Sequence, residues 1–140
     1  MTWQGFVWPV RVYYDDTDAG GVVYHTQYLR MMEHARTEWL RSLGFEQDEL
    51  RRGQGRIFVV ARLTIDYLRP AFFNEKLTVT VQIKERTPAS LLFHQKIHRQ
   101  DDQGLLLCEA EVKVACVNVD NLRPSKLPPL LVAELERNGW

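Results

Sequence analysis

The spacing of apolar positions changes along the chain, and each change marks an element. Trp8, Val10, Val12 and Tyr14 alternate with Pro9, Arg11 and Tyr13, a period of two that predicts a first strand. From Tyr28 the period lengthens. Tyr28, Met32, Ala35, Trp39 and Leu43 fall on one helical face, which Leu29 and Leu40 widen. Thr26 is the expected N-cap, its hydroxyl accepting from a first-turn amide. Gly44 can take the left-handed position after the last turn, and Phe45 can fold back onto it. Glu46 to Gly55 is charged and reads as a short helical turn or loop.

Period two then returns four times. Val59, Ala61, Leu63, Ile65 and Tyr67 predict a strand closed by Arg69-Pro70. Leu77, Val79, Val81 and Ile83 give the cleanest alternation, and Leu91, Phe93 and Ile97 the next strand. Asp101-Asp102-Gln103-Gly104 reads as a hairpin connection. Leu106, Cys108, Ala110, Val112, Val114 and Cys116 share one face of a long last strand. Pro128-Pro129 open a short helix through Leu130, Leu131 and Leu135, which Asn138-Gly139 end. One strand, one long helix and a meander of four strands predict an α+β domain spanning residues 1–140. Hairpin-length links make the strands antiparallel, with the sheet curled over the long helix. Phe58, Val60 and Leu92 are expected on the outer face and Phe72-Phe73 in a turn, which together suggest a self-association surface.

Composition narrows the class. Lys+Arg 18 balance Asp+Glu 18, and no basic stripe interleaved with aromatics points to nucleic acid. The first residues lack the basic region and apolar run of a signal peptide, and no segment reaches transmembrane length. Cys108 and Cys116 are too far apart along one strand to bridge, so buried free thiols in a reducing cytoplasm are expected.

The loop from Asp15 to His25 stands apart: Asp15, Asp16 and Asp18 crowd together, Gly20 and Gly21 follow, and His25 stands at the mouth of the helix. Three readings compete. The carboxylates could be a solvated turn with Asx-type hydrogen bonds. They could be a divalent-metal site; Asp16-Thr17-Asp18 after a strand resembles the aspartate pair of haloacid-dehalogenase phosphatases, although that family needs a doubly wound parallel sheet. Or they could serve acyl-transfer hydrolysis, which needs a carboxylate to attack or to activate water, and donors aimed at the developing oxyanion. The free amides at the start of the long helix would supply those donors.

Tyr14-x-x-x-Asp18-x-x-Gly21-Val22-Val23-Tyr24-His25-x-x-Tyr28-Leu29, with Glu33-x-Ala35-Arg36 on the helix, resembles the YbgC group of 4-hydroxybenzoyl-CoA thioesterase-like proteins. The resemblance extends through Asp66-Tyr67, Pro70-Ala71 and Glu85-Arg86 and so covers the chain. It implies a hot-dog fold, acyl-CoA thioesterase activity without metal or redox cofactor, a link to the Tol-Pal envelope system, and a homodimer or homotetramer with sites at the subunit interface. It makes Asp18 the catalytic carboxylate with His25 and Tyr14 beside it, and the His25 amide the group that polarises the thioester carbonyl. Gly21, Val22 and Tyr28 would line the substrate.

Several residues carry a second reading. Tyr14 could be a core tyrosine, and Glu33 could pair with Arg30 or Arg36 on the helix surface, although a related group places its catalytic carboxylate on a helix. Met31-Met32 reads as helix packing, and His94 and His98 as solvent-facing. The basic run that binds coenzyme A phosphates in the related enzymes is mostly missing. Arg86 and Ser90 remain candidates with Lys84 and Arg62 behind them, which leaves room for acyl carrier protein as the thiol carrier. The expectation is a cytoplasmic acyl-CoA thioesterase; the alternative is a non-catalytic acyl-binding or scaffold protein on the same fold.

Overall fold

The computed structural model describes residues 5–100 and 104–140. Its elements are strand β1 (Phe6–Arg11), helix α1 (His25–Ser42), helix α2 (Gln47–Gln54), strands β2 (Arg56–Tyr67), β3 (Lys76–Thr87), β4 (Ser90–Arg99) and β5 (Leu105–Asn118), and helix α3 (Pro129–Arg137). One antiparallel sheet has the order β1-β3-β4-β5-β2 and is packed against α1, the hot-dog arrangement that the motif implied. Among the described residues no helix is long and apolar enough to cross a membrane. The Asp101–Gln103 part of the expected hairpin connection lies outside the described residues.

Helix α1 forms where the stripe predicted it, burying Tyr28, Met31, Met32, Ala35, Trp39 and Leu40 against the sheet. Its end follows the expected chemistry. Gly44 takes a φ of 93°, the Gly44 amide donates to Arg41 O at 2.9 Å, and the Phe45 amide donates to Leu40 O at 3.2 Å. That six-to-one and five-to-two pair is a Schellman motif, with Phe45 packed on the core. The helix start differs from expectation. Tyr24 is the N-cap, Thr26 lies inside the first turn, and among the described residues no side chain caps the helix.

Three further expectations are corrected. β2 does not continue a meander into β3; it pairs with β5 at the far edge of the sheet. The 68–75 link then carries the chain across to β3, and only β3, β4 and β5 run as a meander. Within β2 the register against β5 shifts between Val60 and Arg62. Phe58 and Val60 pair with Cys116 and Val114, and Leu63, Ile65 and Tyr67 pair with Val112, Ala110 and Cys108, so all five share the inner face. An extra residue in a strand reverses every side chain beyond it, and simple alternation therefore placed Phe58 and Val60 outside. A second shift, between Ile97 and His98, leaves Leu106 half-buried while Leu107 is fully buried beside Cys108. The outer face is correspondingly polar: Lys84 pairs with Glu111, and His94 and Lys96 with Glu109 at 3.2 and 3.7 Å. Leu92 stays on that outer face, opposite Lys113.

The core is continuous from β1 through α1 to α3, where Leu131 and Leu135 are fully buried and Trp140 meets Trp39 edge-on. Cys108 and Cys116 are buried and free. Burial pushes the Cys108 thiol up to about 12. Gln95, a polar side chain on the inner face of β4 between Phe93 and Ile97, is wholly buried in the core.

Candidate active site

Between β1 and α1 the backbone folds back on itself. The strand ends at Arg11, and Val12 is buried. Tyr14, Asp15 and Asp16 make one tight helical turn, in which Asp16 Oδ2 accepts from the Tyr13 amide at 2.8 Å. Thr17 then bridges Val23, the Asp18 amide donates to Val22 O at 2.8 Å, and the Tyr24 amide donates to Asp16 O at 2.9 Å. Asp18 opens the turn that joins these two short arms: the Gly21 amide donates to Asp18 O at 3.0 Å, and Gly21 has a φ of 83°. An L side chain is strained there, which is why the sequence needs glycine.

The Asp18 side chain is both a turn element and a free acceptor. Its Oδ1 accepts from the Gly20 amide at 2.8 Å, the Asx-type contact that the simplest reading of the loop expected. Among the described residues its Oδ2 has no hydrogen-bond partner, and the residue is exposed. Nor do three His, Cys, Asp or Glu side chains converge as a metal-ligand set among the described residues.

His25 begins α1 directly after this hairpin. With no side-chain cap and no acidic residue in the first turn, the amides of His25 and Thr26 carry no hydrogen bond among the described residues. They add their partial charge to the positive end of the helix, a ready acceptor site for a developing oxyanion. The helix mouth is fixed from the sheet. Tyr67 donates its hydroxyl to His25 O at 2.9 Å, and its ring lies 6.2 Å from the His25 imidazole. The Ala71 amide donates to the Tyr28 hydroxyl at 2.9 Å, and the Val23 amide to Ala71 O at 2.9 Å. Burial raises the Tyr28 phenol, so it stays a neutral hydrogen-bonding group. Tyr67 is the residue that simple alternation undervalued: its polar tip at the end of an apolar strand was the available signal.

Val22 bridges Phe72, and the 70–75 turn is held in turn by Arg99, which donates to Pro70 O at 2.8 Å and pairs with Glu75 at 2.5 Å. Tyr14 is not a core tyrosine: at 80% exposure it leans edge-on against Phe73. With Tyr13, Tyr24, Phe72 and Phe73 it makes an exposed aromatic rim around the Asp18 turn.

The structure gathers Asp18, Gly21, Val22 and His25 around one helix mouth, with Tyr14 on the rim; Tyr28, expected to line the substrate, is instead buried in the core with its hydroxyl held by the Ala71 amide. The structure does not bring Arg86 and Ser90 to that mouth. They sit at the β3–β4 turn, the opposite end of β4 from Arg99, roughly 30 Å away at about 3.3 Å per residue. Arg86 faces Glu136 at 3.7 Å, and Ser90 is buried with its hydroxyl 2.6 Å from that of Thr87. Glu33 makes no ion pair with Arg30 or Arg36 among the described residues; Arg36 instead donates to Gln95 Oε1 at 2.8 Å. Burial lowers the Arg36 guanidinium, and the Glu33 charge opposes that shift.

A curled antiparallel sheet on one long helix, with an aspartate turn against the uncapped helix start, defines the hot-dog class of thioesterases. Residues 12–135 match the family model of the thioesterase-like superfamily. The chain is 48% identical over 125 residues to the acyl-CoA thioesterase YbgC of Haemophilus influenzae, covering 89% of this chain and 90% of that protein. It is 44% identical over 132 residues to the acyl-CoA thioester hydrolase YbgC of Escherichia coli, covering 94% and 96%. The crystal structure of a probable thioesterase from Bartonella henselae superposes with a TM-score of 0.83 at 35% identity, over 89% of this chain and 99% of that one. The chain belongs to the thioesterase-like superfamily, within its YbgC group.

Proposed function

We propose that this protein hydrolyses acyl-CoA thioesters to a free acid and coenzyme A, with Asp18 as the reacting carboxylate. One observation carries the residue assignment: a backbone-locked aspartate, with one oxygen unpartnered among the described residues, lies in the hairpin that leads into two helix amides likewise unbonded among them. The thioester carbonyl oxygen accepts from the His25 and Thr26 amides, which hold the negative charge that develops as the carbonyl carbon becomes tetrahedral. Asp18 Oδ2 either takes a proton from the attacking water or attacks the carbon itself, giving an anhydride that water then opens. In both routes the carbon–sulfur bond breaks, the thiolate leaves and takes up a proton, and water supplies the oxygen of the acid. Gly21 and Val22 let the ester approach the turn, Tyr28 and Tyr67 keep the helix mouth in place, and the His25 and Tyr14 side chains border the leaving group. Relatives named as acyl-CoA thioesterases support coenzyme A as the carrier. Exposed Arg86 remains the candidate phosphate contact; a short basic complement there also suits acyl carrier protein.

The working unit is a homodimer or homotetramer in the cytoplasm. β2 presents an unpaired edge with Val59, Val60, Leu63 and Tyr67 partly exposed, beside the aromatic rim of the Asp18 turn. Buried free thiols suit a reducing compartment.

Thiol release from a panel of acyl-CoA esters, from butanoyl to hexadecanoyl and including benzoyl, tests the activity. Turnover of at least one ester is expected with EDTA present. A folded protein that released no thiol from any of them would contradict the proposal, and activity that needed Mg²⁺ or Mn²⁺ would return the Asp15, Asp16 and Asp18 cluster to the metal reading.

A further inference from the structure

Helix α1 covers only part of the sheet's inner face. It packs on β1 and β3, and between it and β2 a groove stays open over β4 and β5. Two cavities of about 320 Å³ each make up this groove. The near one begins at Thr26, on the first turn of α1, and runs past Leu29, Met32, Leu63 and Val112. The far one lies among Trp39, Leu40, Phe58, Leu91, Phe93 and Val114. Glu33, Arg36 and Val60 line both, and so form the throat between them.

Arg36 is not a loose surface cation at this throat. Its Nη1 donates to Gln95 Oε1 at 2.8 Å, and Gln95 Nε2 donates to Met32 O at 3.1 Å. Gln95 is wholly buried, so the guanidinium is tied through it to the middle of the helix and of the sheet. A methylene chain passing this point would strip water from a half-buried guanidinium and from Glu33 without replacing its hydrogen bonds, which is unfavourable. Short of the throat, a chain in the near cavity lies along Leu29, Met32, Leu63 and Val112, with Arg30 also on the lining.

We infer that the near cavity holds the acyl chain of the substrate and that Arg36, fixed by Gln95, sets the length limit of that chain. This rests on the thioesterase reading, because it is the carbonyl held at the His25 and Thr26 amides that aims the chain into the groove. From Thr26 to Arg36 the helix rises about 15 Å, at about 1.5 Å per residue. An extended chain advances about 1.2 Å per bond, so acyl groups beyond roughly twelve carbons must pass the throat. Gln95 is a positioning residue here: it touches no substrate and acts through Arg36.

The test compares kcat/KM across the straight-chain panel for the wild type, Arg36→Lys, and the paired variant Arg36→Met/Gln95→Met. The pair removes both hydrogen-bonding partners together, so that no buried group is left orphaned by the loss of the other. For the wild type the hexadecanoyl ester should fall at least about tenfold below the dodecanoyl ester. In the paired variant the hexadecanoyl-to-butanoyl ratio should rise at least about tenfold, whereas Arg36→Lys, which keeps the charge, should keep the limit. The same profile in wild type and paired variant, or no fall with length in the wild type, overturns the inference while leaving the hydrolase intact. A paired variant that becomes monomeric by light scattering with its length profile unchanged identifies a second copy as the groove's occupant, and overturns it too. A wild type silent on every ester defeats the hydrolase reading instead. In that case thermal-shift binding of dodecanoyl- and hexadecanoyl-CoA to both proteins still decides the groove: a limit relaxed in the paired variant supports it, and equal shifts overturn it.

Discussion

At the scale of single residues, the loop chemistry was legible because glycine and aspartate have few uses at fixed offsets. The Asx contact of Asp18 and the positive φ of Gly21 follow from residue type alone. Nothing surrounds the Cβ position at Gly21 within 4 Å, so the need for glycine is purely conformational. Gly21→Ala should therefore cost roughly 1–2 kcal/mol and lower Tm by several degrees, with the Asp18 turn displaced and kcat reduced; calorimetry beside kinetics checks both. Thr26 shows the opposite case: a good capping residue two positions too late, because the chain enters the helix from the Thr17–Val23 bridge. Gln95 carries a signal of its own in the sequence, a lone polar residue at an inward position between Phe93 and Ile97. Cys108 offers a pH test. Its folded value is raised from 9.0 to about 12, so above about pH 9 the unfolded thiol loses its proton while the folded one keeps it. The unfolded state then binds fewer protons, and this contribution to stability is present below pH 9 and fades as pH rises toward 12. Native protein at pH 8 should accordingly resist maleimide at Cys108 and react once denaturant opens the core; a fast native reaction on that residue would contradict the burial.

Elements were legible wherever one period ran uninterrupted. The α1 stripe and the alternation of β3 from Leu77 to Ile83 both survive into the fold, the register of β3 against β4 shifting only beyond Ile83. β2 was not, for a physical reason: the extra residue between Val60 and Arg62 inverts the two halves of the strand, and no composition cue marks it. Its pairing with β5 was also out of reach, since strand order depends on contacts far apart in sequence. The α1–sheet contact itself is tight at Ala35, which has no exposed surface. Ala35→Leu should push the helix off the sheet at a cost of about 1–3 kcal/mol, read as a lower denaturation midpoint with unchanged slope. A neutral effect would contradict the close packing of α1 on the sheet.

At the scale of the molecule, the exposed apolar surface does not lie where the alternation put it. The outer sheet face is charged, and the apolar surface left over lies along the β2 edge and the Tyr14, Phe72 and Phe73 rim. An edge strand of twelve residues with apolar side chains invites pairing with another copy. Light scattering at micromolar concentration should give at least a dimer mass, and a charged substitution at Leu63 should reduce it; a monomeric wild type would count against the assembly.

The central claim is that Asp18 does chemistry and does not merely shape its turn. Asn keeps the Oδ1 acceptor for the Gly20 amide but can neither attack a thioester nor take a proton from water. The most direct measurement is kcat of Asp18→Asn on the best acyl-CoA ester, with Tm recorded on the same sample. The account predicts a fall of at least about a hundredfold in kcat with Tm essentially unchanged. Near-wild-type turnover by the folded variant, or a loss of activity that only follows a lowered Tm, would contradict it.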